Sequence, residues 1–219
     1  MAVITIERKV LEKNDAFAAE NRRRLAAARL FTINVVSSPG AGKTSLLEQT
    51  IERLKGRLRI SVVEGDVQTD LDAQRVARYG APVVQIVTNG GCHLEAKLVQ
   101  DALERLDLSA TDLLVIENVG NLVCPANYDL GEAMKVVLLS TTEGDDKPLK
   151  YPAMFRNASV LVVNKVDLVP YVNCDLARLV GHALSINPGL RVFQVSCTTG
   201  QGLDEWCAWL SAQVAACRA

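Results

Sequence analysis

Two groups of residues have the types and spacing to do chemistry. The first is the run Ser37-Ser38-Pro39-Gly40-Ala41-Gly42-Lys43-Thr44, which has the order of a phosphate-binding loop. Small residues and glycines let successive backbone N–H groups curl around a phosphate, and the N-terminus of a following helix adds its positive dipole end. Lys43 then reaches the β- and γ-phosphates, and Thr44 offers its hydroxyl to Mg²⁺. Ser37 departs from the usual pattern, which has glycine there. The second group is Cys92-His93 with Cys124. Thiolates and an imidazole suit Zn²⁺ or Ni²⁺, and three ligands leave one position for water or a donated group. A reduced cysteine also fits a core as a small hydrophobe, so residue type alone leaves both readings open.

A nucleotide base is specified further on, in Asn164-Lys165-Val166-Asp167. The Asp167 carboxylate accepts from guanine N1–H and the exocyclic amine, donors that adenine lacks there, so GTP and GDP are favoured over ATP. The stem of Lys165 lies along the base and Asn164 braces the site. The loop Ser196-Cys197-Thr198-Thr199-Gly200 closes over the base with backbone N–H groups. The expected nucleotide contacts are Gly40, Ala41, Gly42, Lys43, Thr44, Ser45, Asn164, Lys165, Asp167, Ser196 and Cys197.

Sensing of a γ-phosphate falls to strand ends near the loop. LRISVVEGD ends in Asp66, with Asp70 and Asp72 close behind. DLLVIENVG ends in Glu117 and Gly120, the spacing of a D-x-x-G switch with Glu for Asp. The Mg²⁺ ligands expected are Thr44, Asp66, Asp72 and Glu117, and the catalytic set is Lys43, Asp66 and Glu117. Asp70 and Asp72 read equally well as ordinary helix N-terminal charge. Asn121, where a water-orienting glutamine would stand, predicts slow intrinsic hydrolysis. Cys124 lies four residues beyond Gly120, so a γ-phosphate that reorders this loop also moves the sulfur.

These residues need a scaffold. The runs FTINVVS, LRISVVEGD, PVVQIVT, DLLVIENV, KVVLLST, ASVLVVN and RVFQVS read as seven strands. Several are apolar on both faces, as buried parallel strands are. Amphipathic stretches alternate with them: Ser45 to Leu54, His93 to Leu106 with Leu94, Leu98, Leu103 and Leu106 on one face, and Leu203 to Cys217. The expectation is an α/β protein, a three-layer P-loop NTPase fold with a mostly parallel central sheet of about seven strands. Residues 1–30 form a charged, alanine-rich helical segment, either a solvated helix packed on one edge or a partner-binding arm. Residues 31–219 form the GTPase domain with its embedded metal site. A net charge of -1 over 219 residues gives no basic footprint for nucleic acid or an anionic membrane. The opening MAVITIERKV is unlike a signal peptide, and no apolar run reaches the roughly 18 residues of a membrane span. The expected location is the cytoplasm, where the six cysteines stay reduced.

GDVQTDLDAQR, TNGGCHLEA, ENVGNLVCPANYDLGE, EGDDKPLKYPAMF and NKVDL together resemble the HypB family of hydrogenase nickel-incorporation GTPases, over about Thr32 to Gly202. The resemblance implies a SIMIBI-class GTPase and metallochaperone that binds nickel or zinc and assists nickel insertion into NiFe-hydrogenase. It also implies a nucleotide-dependent homodimer, a HypA-type zinc or nickel chaperone and the hydrogenase large subunit as partners. The family's metal ligands fall on Cys92, His93 and Cys124, and Lys147 or Lys150 reaches a partner's nucleotide. Residues 1–30 lack the Cys or His of nickel-storing members, which argues against storage. Alternatives are a maturation GTPase for another nickel or cobalamin enzyme, such as the urease type, or a passive metal-binding chaperone.

Overall fold

The computed structural model describes residues 6–219, with side chains from residue 10, so the first five residues of the expected N-terminal segment lie outside it. Helix α1 (Ile6–Ala27) comes first. Then follow β1 (Phe31–Ser37), α2 (Lys43–Leu54), β2 (Ile60–Asp66), α3 (Leu71–Ala77), β3 (Val83–Val87), α4 (Ala96–Leu103) and β4 (Leu113–Glu117). The second half holds β5 (Met134–Ser140), the short helices α5 (Lys147–Lys150) and α6 (Pro152–Arg156), β6 (Val160–Asn164), α7 (Leu176–Ile186), β7 (Arg191–Gln194) and α8 (Leu203–Arg218).

Each of the seven apolar runs is a strand, and every pairing is parallel, in the order β3-β2-β4-β1-β5-β6-β7. The chain leaves β1 first toward one edge and later toward the other. That reversal opens a crevice at the carboxyl ends of β1, β4 and β5, where open α/β sheets bind ligands. Strand alternation feeds the layers on both faces. Ile33 and Val35 pack with Leu46, Leu47 and Ile51 of α2 and Trp206 and Leu210 of α8. Val36, Leu139 and Leu161 face Phe155 and Leu179, and Val63, Leu114 and Ile116 face Leu25, Val99 and Leu103 of α1 and α4. The result is three layers with helices on both sides of the sheet.

Helix α4 is shorter than its apolar spacing predicts. The backbone N–H groups of Leu94 and Ala96 are taken by the side chains of Asn118 (3.2 Å) and Asn14 (2.8 Å), and Cys92 to Glu95 stay outside the helix, with Glu95 extended. The buried face becomes Ala96, Val99, Ala102 and Leu103, and Leu98 is exposed.

Helix α1 is built into this region. Asn21, fully buried, donates to the carbonyls of Ala96 (2.8 Å) and Leu130 (3.0 Å), and Asn14 donates to Asp129 O (2.8 Å). Arg22 forks onto the Asp129 carboxylate at 2.8 and 2.6 Å. Nearby, the buried ammonium of Lys135 donates to the carbonyls of Pro125, Ala126 and Tyr128 at 3.0 to 3.1 Å, fixing the tight turn that begins at Cys124.

Candidate functional site

The phosphate loop joins β1 to α2, with Gly42 left-handed (φ 102°) at the start of the helix. A Cβ there would lie 2.5 Å from Asn164 Nδ2, so the position admits only glycine. Asn164 donates to Ala41 O (3.0 Å) and Lys165 Nζ to Gly40 O (2.8 Å), so the base-recognition segment also braces the phosphate loop. Asn164 Oδ1 accepts from Lys165 N and Cys197 N, which brings the Ser196–Cys197 loop to the same place. Lys165 is itself left-handed (φ 61°), a conformation that costs a non-glycine residue of order 1 kcal/mol and is kept where function requires it. Asp167 Oδ1 is shielded from water and has no hydrogen-bond partner, the state a carboxylate oxygen aimed at guanine donors would have.

Ser37 takes part in the site. Its hydroxyl donates to Ser38 O (2.6 Å) and accepts from Lys43 Nζ (3.2 Å), so the departure from glycine supplies a holder for the lysine. Thr44 Oγ1 donates to Glu117 Oε1 at 2.9 Å.

The acidic cluster is larger than the sequence reading. Glu64, Asp66 and Asp72 bring carboxylate oxygens within 4.8 Å of one another, and Glu64 stands beside Glu117 in the β2–β4 register. Glu64 and Glu117 are each 2% exposed, and each keeps one buried oxygen without a partner. Burial, and then the charge of Glu117, push Glu64 up to about 9. Burial pushes Glu117 up to about 7 against the pull of Lys43 and Thr44. Partial burial raises Asp66, but hydrogen bonds from Thr69 and Gln68 outweigh it and hold its carboxyl below its ordinary value. At neutral pH the cluster therefore contains an ionised Asp66 beside a proton-retaining Glu64. Orphaned buried carboxylate oxygens beside Thr44 are a donor set that fits Mg²⁺. Asp72 is also held by Arg75 (3.0 Å), which forks onto Glu48 of α2, whereas Asp70 only precedes α3 and lies outside the cluster. Glu64 was missed by the sequence reading. Its signal was a charge in the interior of the apolar strand ISVVEGD, two residues before Asp66.

Cys92, His93 and Cys124 also come together, their ligand atoms within 4.8 Å of one another. Cys92 Sγ lies 3.5 Å from His93 Nδ1. Burial lowers the His93 pKa, so the ring is neutral, and its buried Nε2 has no partner. The Tyr128 ring packs on it, centroids 4.0 Å apart. The hydrogen bond with Cys124, and then burial, raise the Cys92 thiol. Asn121 donates to Cys92 O (3.1 Å) and accepts from Val123 N (2.9 Å), tying the two cysteine loops together. Gly120 abuts the phosphate loop, since a Cβ there would lie 3.1 to 3.2 Å from three Pro39 atoms. Lys147 and Lys150 pair locally, with Glu143 (3.6 Å) and Asp146 (2.6 Å).

Among the described residues no helix is long and apolar enough to cross a membrane. Residues 31–194 match the family described as CobW/HypB/UreG, nucleotide-binding domain. The chain is 54% identical over 211 residues to hydrogenase maturation factor HypB of Azotobacter vinelandii, covering 96% of this chain and 70% of that one. It superposes on HypB of Archaeoglobus fulgidus with a TM-score of 0.87 at 39% identity, over 93% and 100% of the two chains. It superposes likewise on Helicobacter pylori HypB in complex with nickel, with a TM-score of 0.88 at 40% identity, over 92% and 95%. The seven-stranded parallel sheet, the phosphate loop and these likenesses agree: the chain belongs to the hydrogenase maturation factor HypB family, within the CobW/HypB/UreG nucleotide-binding domains.

Proposed function

We propose that this protein is a GTP-hydrolysing metallochaperone that binds nickel or zinc at Cys92, His93 and Cys124 and assists nickel insertion into NiFe-hydrogenase. One observation carries the reading: Gly120, at the end of the segment that senses nucleotide, lies against Pro39 and is followed four residues later by Cys124. Metal geometry and nucleotide state then share one loop. The nickel complex of the Helicobacter pylori relative supports nickel as cargo.

In hydrolysis, water attacks the γ-phosphorus in line as the bond to the β–γ bridging oxygen breaks, giving GDP and phosphate. Lys43 neutralises charge that grows on the bridging and γ-oxygens. Asp66, the ionised carboxylate, accepts a hydrogen bond from the attacking water, and Glu117 holds Thr44 in place. Thr44, Asp66, Asp72 and Glu117 would hold a Mg²⁺ ion, which would supply further charge neutralisation when bound. Asn121 is committed to Cys92 and Val123, consistent with a slow intrinsic rate.

The same reading includes a nucleotide-dependent homodimer, with Lys147 or Lys150 reaching the partner's nucleotide. Exposed Val123, beside Cys124, and exposed Leu71, at the start of α3, are apolar surface suited to it. A HypA-type chaperone and the hydrogenase large subunit are its proposed partners, in the cytoplasm. The test is Ni²⁺ and Zn²⁺ affinity in GDP and in a non-hydrolysable GTP analogue, with sizing and a Cys92→Ala control. Affinity that shifts with nucleotide and collapses in the control supports the reading. Metal binding indifferent to both refutes it.

A further inference from the structure

Besides the exposed bond from Asn121 to Cys92 O, the metal loop and the nucleotide switch are joined by a buried carboxamide. Asn118, 1% exposed, follows Glu117 at the end of β4. Its Oδ1 accepts the backbone N–H of Leu94 at 3.2 Å and of Val119 at 2.9 Å. Its Nδ2 donates to Asn34 Oδ1 at 3.2 Å. Asn34, on the strand that runs into the phosphate loop, donates in turn to Glu132 at 3.1 Å. Leu94 is the residue after His93, and Val119 is the residue before Gly120. One side chain thus bonds the backbone of the metal loop and of the switch, and the side chain of Asn34 on β1.

Leu94 has a second attachment. It is fully buried, and a Cβ on Gly65 would come within 2.8 to 2.9 Å of three of its side-chain atoms. Leu94 is therefore seated on the backbone of β2 between Glu64 and Asp66. The residue following a metal ligand is held to both strand ends that carry the acidic cluster.

We infer that Asn118 is a positioning residue that couples nucleotide state to metal affinity by fixing the backbone beside His93 to the switch strand. This rests on the proposed switch-coupled metal site. The physical basis is burial: no water replaces any of Asn118's bonds, so the segments it joins move together or leave a polar group unpaired. Glu117, its covalent neighbour, holds Thr44 and so senses the phosphate end. The path from Gly120 reaches Cys124 along the chain and Cys92 O through the exposed bond from Asn121 (3.1 Å), whereas the buried Asn118 path reaches the backbone beside His93. A ligand that biases either end biases the other by the same factor.

The test is a Ni²⁺ titration of the full chain in GDP and in a non-hydrolysable GTP analogue, for the native protein and Asn118→Ala, with nucleotide affinity measured on the same samples. The native ratio of nickel affinities in the two states is expected to be about fivefold or more, falling to within about twofold in Asn118→Ala. Nucleotide affinity, together with the thiolate-to-nickel absorption band, is expected to persist in the variant. A native ratio retained in Asn118→Ala overturns the assignment to Asn118 while the metal reading stands; a native ratio of one overturns both. Because alanine strands a buried Leu94 N–H, a second measurement uses the native chain alone: amide hydrogen exchange at Leu94 and Val119. Protection that changes at both when the analogue replaces GDP supports the coupling, and Leu94 protection indifferent to nucleotide overturns it.

Discussion

The nucleotide crevice and the cysteine loops are neighbours built on opposite plans. In the crevice the functional groups already hold one another: Asn164 on Ala41, Lys165 on Gly40, Lys43 on Ser37 and Thr44 on Glu117. Those bonds fix the donors before any ligand arrives, so little ordering remains to be done on binding. The proposed metal ligands sit on loops. Cys92 is exposed and Cys124 half-buried, and three donors leave the coordination set open. The contrast is between a nucleotide crevice whose groups are held in place by the fold and a proposed metal site whose geometry depends on how two loops are set relative to each other.

The largest expected effect tests the fixed half. Asp167→Asn replaces one of two acceptors by a donor, which then meets the exocyclic amine of guanine, and GTP affinity is expected to fall by about a hundredfold or more. Xanthosine triphosphate, which presents an acceptor at that edge, is expected to bind better to this variant than to the native chain. Titration with the two nucleotides checks both. Equal affinity of native and variant chains for GTP would place guanine recognition elsewhere.

These two halves were unequally legible in the sequence. The phosphate loop and the NKVD segment are local patterns at strand ends, and the strands announce themselves as β-branched apolar runs, so order and chemistry could be read together. The proposed metal triad joins residues about thirty apart; residue type and the place of Cys124 beyond Gly120 picked them out with a core reading still open, and the resemblance chose between the two. Glu64 was passed over because a charge inside a buried strand reads as an irregularity until Glu117 is seen beside it. The start of α4 was misjudged because Leu94 continues the apolar spacing, yet its N–H is claimed by Asn118 from another strand. Asn14 and Asn21 sit in an alanine-rich, charged stretch where polar residues read as solvated. Their partners, Ala96, Asp129 and Leu130, lie far along the chain.

A middle-sized effect tests the open half through protons. A thiol must lose its proton to bind metal, and the Cys92 thiol is raised above its ordinary value by its bond with Cys124 and by burial. It is therefore protonated at neutral pH, and nickel or zinc binding releases that proton. Affinity is expected to rise with pH by up to about tenfold per unit for each proton displaced. His93, with its pKa lowered by burial, is already neutral and adds no slope above pH 7. Titrations between pH 7 and 8.5, in buffers of different ionisation enthalpy, count the protons. A flat profile would mean that Cys92 is not a ligand.

The smallest effect concerns what steadies the loops from behind. Gly131 (φ +93°) sits under α1, where a Cβ would lie 2.6 Å from Asn21 Cβ and 2.8 Å from Ala18 O. Gly131→Ala therefore meets both a strained backbone and a backbone clash, and α1 is forced away from the loop that carries Tyr128. Asn21→Ala removes the same support differently, leaving the carbonyls of Ala96 and Leu130 buried without their donor. Each change is expected to lower stability by about 1–3 kcal/mol. The two are expected to add incompletely, because they act on one contact. Thermal melts of the single and double variants measure this. If α1 were instead an independent solvated arm, Asn21→Ala would leave the melting temperature unchanged, and steadying of the His93–Tyr128 pair would have to come from Lys135 and Asn118 alone.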